Sequence, residues 1–403
     1  MKRGNMALNT TPQAETYLEG LVETLAVSDA RYEQAERSYK SLGDWLCRPE
    51  SSVREYGPKV YIQGSFGLGT TIRPISDEED YDVDSVCEFE HLTSGHLTQK
   101  HLKELLGAEI AAYHRAQNMT KPIREGRRCW VLNYADGAQF HMDVVPALPN
   151  GTRQRVLLES RGLDARFAAT AIGITDNEHA AYEVPSNDWP RSNPKGYIQW
   201  FRSRMTVQFE KRRRILAEAA KASVEDIPEY RVRTPLQNAI MILKRHRDMR
   251  YDGDPCDKPI SIIITTLAAH AYNAEDNIGD ALVSILSNME SAIIYQNGKY
   301  LIPNPSDPTE NFADKWEAFP ERATAFFAWL EQARTDFTTI ARSVQRERMI
   351  ETASTAVGER VAKAAGTKGY GGALRAASVA PVAAVAPTFP NEPRVPTSPR
   401  GFG

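Results

Sequence analysis

Two aspartates, Asp82 and Asp84, stand one residue apart in Tyr81-Asp82-Val83-Asp84-Ser85-Val86-Cys87-Glu88-Phe89, a segment that alternates polar and apolar residues as a strand does. In a strand, positions i and i+2 project from one face, so the two carboxylates lie side by side, about 7 Å apart at their Cα atoms. Such a pair repels itself unless a cation sits between its members. Hard oxygen donors suit Mg²⁺, which is held by a few carboxylates together with substrate phosphates. A third carboxylate, Asp143, lies in Phe140-His141-Met142-Asp143-Val144-Val145, where Phe140, Met142 and Val144 share one face and Asp143 takes the other. If the two strands are neighbours, three carboxylates can hold two metal ions for in-line displacement at phosphorus. One ion would acidify the attacking hydroxyl, and the other would bind a triphosphate and stabilise departing pyrophosphate. Magnesium is the expected ion, with manganese as a substitute.

The complementary part is Gly64-Ser65, which follows the strand-like Lys59-Val60-Tyr61-Ile62-Gln63 and precedes a predicted helix. Backbone amides and a hydroxyl at a helix start favour anions, and glycine lets the backbone approach phosphates closely. No Gly-Lys-Ser/Thr follows, so this is not a Walker loop. Two later residues could assist. Lys244 lies on an amphipathic helix, where it is either a point charge for phosphate or an ordinary exposed lysine. Ser261 follows Pro259 in the first turn of another helix, where it is either a phosphate ligand or a capping serine.

The elements that must position these residues are legible in outline. A helix is expected over 14–46, strands over 59–63 and 81–89, and a helix over 97–117. A hairpin joins 128–134 to 138–145 through Asp136-Gly137, with Pro146 and Pro149 closing its second strand. Beyond the proline-punctuated loop near residue 185 the pattern turns helical, with helices expected over 196–220, 235–250, 260–275, 278–292 and 310–348, interrupted by a loop at 299–309. The reading is an α+β chain: a mixed-sheet lobe over 1–185 that includes the N-terminal helix, a helical lobe over 186–365, and a disordered tail over 366–403. The last 23 residues of that tail hold six prolines and a single acidic residue, Glu392. A cleft between the lobes is the favoured place for a ligand.

The order Gly-Ser turn, Asp-x-Asp strand and later single Asp resembles the DNA polymerase β-like nucleotidyltransferases. The fuller string QGSFGLGTTIRPISDEEDYDVDSVCEF resembles the bacterial CD-NTases, relatives of cyclic GMP-AMP synthase. The helix Leu243-Lys244-Arg245-His246-Arg247-Asp248 is similar to one whose lysine contacts the triphosphate in that family, and Lys258-Pro259-Ile260-Ser261 to a segment carrying a phosphate-binding serine. Ile302-Pro303-Asn304-Pro305 and Glu310 to Trp316 resemble a stretch shared with oligoadenylate synthetases. The likeness spans roughly residues 15–350.

The resemblance implies a polymerase β-like catalytic lobe with a mixed sheet, completed by a helical lobe. It implies catalytic and metal-holding roles for Asp82, Asp84 and Asp143, and nucleotide binding by Gln63, Gly64, Ser65, Lys244 and Ser261. It also implies two Mg²⁺ ions, nucleoside triphosphates such as ATP or GTP as substrates, a cyclic di- or trinucleotide as product, and a downstream effector that reads the product in anti-phage (CBASS-type) signalling. Carboxylates do the metal work in that family, so His141 is read as structural. Some relatives are joined through their C-terminal carboxylate to target amines by E1/E2-like ligases, which makes Gly403 a conjugation candidate. The rival readings are a linear nucleotidyltransferase acting on RNA or a small molecule, and a non-catalytic nucleotide sensor.

Composition narrows the classes. Across 403 residues, 49 basic and 52 acidic side chains leave a net charge of −3, which argues against a surface coated for duplex binding. The run Lys211-Arg212-Arg213-Arg214 reads as a solvated helix face. No apolar run approaches the roughly 18 residues of a membrane span, and the first residues lack the apolar core of a signal peptide, so a cytoplasmic protein is expected. Cys47, Cys87, Cys129 and Cys256 are scattered, without metal spacing, and read as free thiols. They supply no zinc insertion of the kind animal cyclic GMP-AMP synthase uses for DNA. Trp200, Trp316 and Trp329 read as core.

Overall fold

The computed structural model describes residues 10–75, 81–134, 140–253 and 258–371. The Asp136-Gly137 turn, Cys256 and Gly403 lie outside the described residues.

Two helices open the chain, α1 (Pro12–Leu25) and α2 (Asp29–Cys47). Thr11 caps α1 by accepting from the Ala14 N–H, and Pro12 occupies the first helical position. The single helix expected over 14–46 is broken, because Ala26 and Ser28 are extended. The break sends the two helices to different cores. Tyr17, Leu18 and Leu21 of α1 pack among the later helices, while Tyr32, Leu42 and Leu46 of α2 pack under the sheet.

Next come β1 (Pro58–Ile62), the one-turn α3 (Gly64–Leu68), β2 (Tyr81–Phe89), α4 (Gln99–Ala116), β3 (Arg124–Glu125), β4 (Trp130–Tyr134), β5 (Phe140–Pro149), α5 (Gly151–Ser160), β6 (Ile172–Ile174) and β7 (Arg191–Ser192). The mixed sheet has the order β1-β2-β5-β4-β3, with β6 beside the far end of β5 and β7 beside β6. The pair β2/β5 is parallel, and the other pairs are antiparallel. Pro146 does not close β5, which runs on to Pro149. It is tolerated because pairing with β4 stops at Val144 and pairing with β6 starts at Ala147, so its missing N–H falls in the gap between them.

The helical lobe follows: α6 (Pro194–Ala220), α7 (Pro235–Arg250), α8 (Ser261–Ala271), α9 (Ile278–Asn288), the hairpin β8 (Ile294–Gln296) and β9 (Lys299–Leu301), the hairpin β10 (Pro303–Asn304) and β11 (Asp307–Asn311), then α10 (Pro320–Arg342), α11 (Arg346–Val357) and α12 (Glu359–Gly371). Three expectations are corrected. The stretch 299–309 is not a plain loop, and the helix expected from 310 starts only at Pro320. Asn311 ends β11 by accepting from the Ile302 and Ala313 N–H groups, which fixes a turn there. The chain is also still helical at 366–371.

The lobe boundary differs as well. Tyr17 of α1 donates to the Ala362 carbonyl of α12 at 3.0 Å, and Thr10 and Thr11 bond to Asp280 and to the Ala341 and Ser343 carbonyls. The first helix therefore belongs to the helical lobe, and of the two opening helices only α2 belongs to the sheet lobe. Among the described residues no helix is long and apolar enough to cross a membrane.

The central helix is α7. A capping box of Thr234 and Gln237 fixes its start, with Pro235 in its first turn. Residues Pro235 to Arg247 are all buried. Its side chains reach across to the chain that leaves α3. Gln237 donates to the Leu68 carbonyl at 2.9 Å, Lys244 to the Thr70 carbonyl at 3.0 Å, and Arg245 to the Arg73 and Pro74 carbonyls. These bonds hold the sheet lobe's Gly-Ser turn against the helical lobe.

Candidate active site

Alternation puts Val83, Phe140, Met142 and Val144 into the core beneath the sheet and leaves the polar positions of β2 and β5 on the opposite face. Parallel register then sets Asp82 beside His141, and Asp84 beside Asp143. The sequence could not supply that register, and it is what brings the third carboxylate to the first two.

The Gly-Ser turn is fastened to the same strand. The Gln63 N–H donates to the Asp84 carbonyl at 2.8 Å, one step beyond the Ile62–Ser85 pair. Gly64 then takes the left-handed conformation, φ +60°, and a Cβ there would overlap the Asp84 Oδ2 atom. Glycine is required on both counts. Replacing Gly64 with alanine is expected to destabilise the fold by about 1 kcal/mol or more and to displace Asp84. Thermal melting and product formation check this, and a variant with wild-type melting and wild-type turnover would contradict it. The helix after the glycine has a single turn, so the turn amides, rather than a long dipole, are what it offers an anion. The Ser65 hydroxyl accepts from Thr71 at 2.9 Å.

A cavity of about 570 Å³ opens over this face, between the lobes. Gly64, Ser65, Asp82, Asp84, Lys244 and Ser261 all line it. Gln63 and Asp143 are not among its lining residues: Gln63 contributes its backbone bond, and Asp143 lies behind Asp84. Sequence reasoning missed Arg247, Asp248 and Lys258, which line the opposite wall. Arg247 lies three residues after Lys244, on the same helical face, so that signal was present.

Lys244 is not an exposed helical lysine. It is buried, and burial together with Arg247 pulls its pKa down to about 8. Ser261 does not cap α8; it accepts from Arg247 Nη1 at 2.7 Å. Arg247 also binds the Pro259 carbonyl and Asp248, and Lys258 lies 3.3 Å from Asp248. One wall of the cleft is thus acidic and the other basic, matching a metal-bound triphosphate laid between them.

The carboxylates themselves are not yet gathered. Asp82 Oδ1 lies 2.7 Å from His141 Nε2, and this bond holds Asp82 below the usual carboxylate range. Asp143 Oδ2 accepts from Cys129 Sγ at 3.4 Å, while its Oδ1 is buried with no hydrogen-bond partner. Asp84, desolvated and facing Asp143 and Asp82, is pushed up to about 6. Among the described residues no three His, Cys, Asp or Glu side chains stand close enough together to hold a metal ion as they are. The donor set nonetheless fits magnesium: hard oxygens, one unsatisfied buried oxygen, and mutual repulsion that a divalent cation would relieve.

Other sequence readings resolve simply. Trp200, Trp316 and Trp329 are buried. Cys87 is buried, and Cys129 is half-buried beside Asp143; both are free thiols. Lys211, Arg212 and Arg213 tie α6 to the loops at Asp276 and at Glu225 to Ile227.

Known proteins share sequence and fold with this chain. Residues 58–146 match the family described as the nucleotidyltransferase domain of cyclic GMP-AMP synthase DncV-like proteins. The chain is 28% identical over 331 residues to a c-di-GMP synthase of Roseivirga ehrenbergii, covering 82% of this chain and 80% of that protein. It is 26% identical over 297 residues to the cyclic dinucleotide synthase CdnG of Bradyrhizobium diazoefficiens, covering 70% of this chain and 65% of that one. The fold is shared with the structure of the Bradyrhizobium CD-NTase CdnG in complex with GTP, at a TM-score of 0.64, 19% identity, and coverage of 89% and 99% of the two chains.

Proposed function

The chain belongs to the bacterial CD-NTases and is a nucleotidyltransferase, and from that premise we propose that it joins nucleoside triphosphates, releases pyrophosphate, and closes the linear product into a cyclic di- or trinucleotide. The observation that carries this reading is the single cleft lined by Gly64, Ser65, Asp82, Asp84, Lys244 and Ser261. In this reading Asp82, Asp84 and Asp143 would hold Mg²⁺, or Mn²⁺ in its place, which when bound neutralises triphosphate charge and acidifies the attacking hydroxyl. The amides of Gly64 and Ser65 would cradle the phosphates of the donor nucleotide. Lys244, Arg247 and Lys258 would draw in the triphosphate and balance the charge of departing pyrophosphate. Asp143, beside Asp84, would orient the acceptor hydroxyl for in-line attack. In this reading the one cleft serves every bond-forming step, the linear intermediate returning to it as acceptor for ring closure.

ATP, GTP or both would be the substrates on this account; the relative named as a c-di-GMP synthase supports GTP. The product would act as a second messenger for an effector in anti-phage (CBASS-type) defence.

Incubation with the four nucleoside triphosphates and Mg²⁺, without primer, tests the core of this. Pyrophosphate should be released in step with triphosphate consumption. Absence of release with every mixture, and with Mn²⁺ as well, would reduce the chain to a nucleotide sensor.

A further inference from the structure

His141 is not assigned any part in the chemistry by its family likeness, yet it makes the shortest polar contact to the exposed member of the aspartate pair. Asp82 and His141 are register partners on adjacent parallel strands, and their side chains leave the sheet on the cleft face. His141 Nε2 lies 2.7 Å from Asp82 Oδ1, with side-chain exposures of 26% for His141 and 72% for Asp82. An aspartate so exposed at the start of a strand would otherwise sample several rotamers. The contact engages one carboxylate oxygen and leaves Oδ2 for another partner. Asp84 needs no such help, because Gly64 packs directly against its carboxylate.

We propose that His141 is a positioning residue for the metal site, holding Asp82 through Oδ1 so that Oδ2 faces the cation bound with the triphosphate. The inference rests on the proposed function, since it presumes that Asp82 is a metal ligand. It follows a general rule: carboxylates that bind metals are held from behind by hydrogen-bond donors, and loss of such a donor typically weakens metal binding by about 10–100-fold. A purely structural histidine would instead show its loss in stability and leave metal affinity unchanged.

The test is Mn²⁺ binding, followed by the paramagnetic resonance signal of free Mn²⁺ as it is titrated into the full chain with a non-hydrolysable triphosphate analogue. His141→Phe is expected to weaken Mn²⁺ binding by about 10–100-fold, and His141→Gln, which keeps an N–H donor, to recover most of the loss. Should phenylalanine prove too large for this sheet face, as seen in melting, His141→Ala carries the same expectation. Mn²⁺ affinity within twofold of wild type in the Phe and Ala variants overturns the role of His141, as does a Gln variant as weak as they are. Wild-type binding that survives Asp82→Asn with Asp84→Asn overturns the proposed function itself, and the role of His141 with it. Binding that needs both aspartates but ignores His141 overturns the positioning role alone.

Discussion

Replacing Asp82 and Asp84 together by asparagine is expected to abolish nucleotide joining, with a fall in kcat of at least roughly a thousandfold, about 4 kcal/mol of barrier. The same double variant should melt no lower than wild type in the absence of metal. The two carboxylates contribute to folding with opposite signs. Asp84 is raised to about 6 by desolvation and by its carboxylate neighbours. Its folded pKa lies above its unfolded value, so the stability it contributes is fully present below about pH 4 and is lost as pH rises through about 6. At pH 8 the folded apoprotein therefore bears a penalty on the order of 3 kcal/mol, which asparagine removes. Asp82 is lowered by His141 and works the other way, but it is largely exposed and its share is small. The gain in melting temperature should thus be larger at pH 8 than at pH 4.5. Scanning calorimetry at the two pH values, alongside product formation, checks both halves. Activity persisting in the double variant would refute the assignment of the site.

The second large effect is expected at Lys244. Its ammonium group is buried between the lobes and donates to the Thr70 carbonyl, in the segment that follows the Gly-Ser turn. Truncation to alanine removes a charge for the triphosphate and leaves both a cavity and an unpaired carbonyl. Lys244→Ala should raise the KM for triphosphate by about tenfold or more and cost about 2 kcal/mol of stability. Lys244→Met fills most of the volume and should keep more of the stability while showing the same rise in KM. Because the lysine is held down to about 8, wild-type KM should climb as pH rises past that value and the charge is lost. The methionine variant should flatten that climb. Steady-state kinetics from pH 7 to 9 separates the two contributions, and an unchanged KM in both variants would make Lys244 a purely structural strut.

The candidate site carboxylates are legible because strand alternation is a local property: Asp82, Asp84 and Asp143 each stand opposite apolar neighbours that must be buried. Their meeting was not legible, since it depends on the parallel pairing of β2 with β5, a contact between segments some sixty residues apart in sequence. The break between α1 and α2 escaped for a related reason. Both helices carry good apolar periodicity, and only the existence of two cores makes the chain turn at Ala26 to Ser28. Proline ordinarily ends a strand, but at Pro146 the rule yields because no neighbouring strand needs its N–H. The roles of Ser261 and His141 were hidden because each depends on one partner, Arg247 or Asp82, whose reach sequence spacing does not state.

The central claim is that one cleft both joins nucleotides and closes the linear product into a ring. Mass spectrometry of the product made from nucleoside triphosphates alone, after exhaustive phosphatase treatment, tests it most directly. The account predicts a phosphatase-resistant species whose mass is the sum of two or three nucleoside monophosphate units less one water for each, with no terminal phosphate. A product that phosphatase shortens to a linear oligonucleotide, or one that forms only when a primer is supplied, would contradict it.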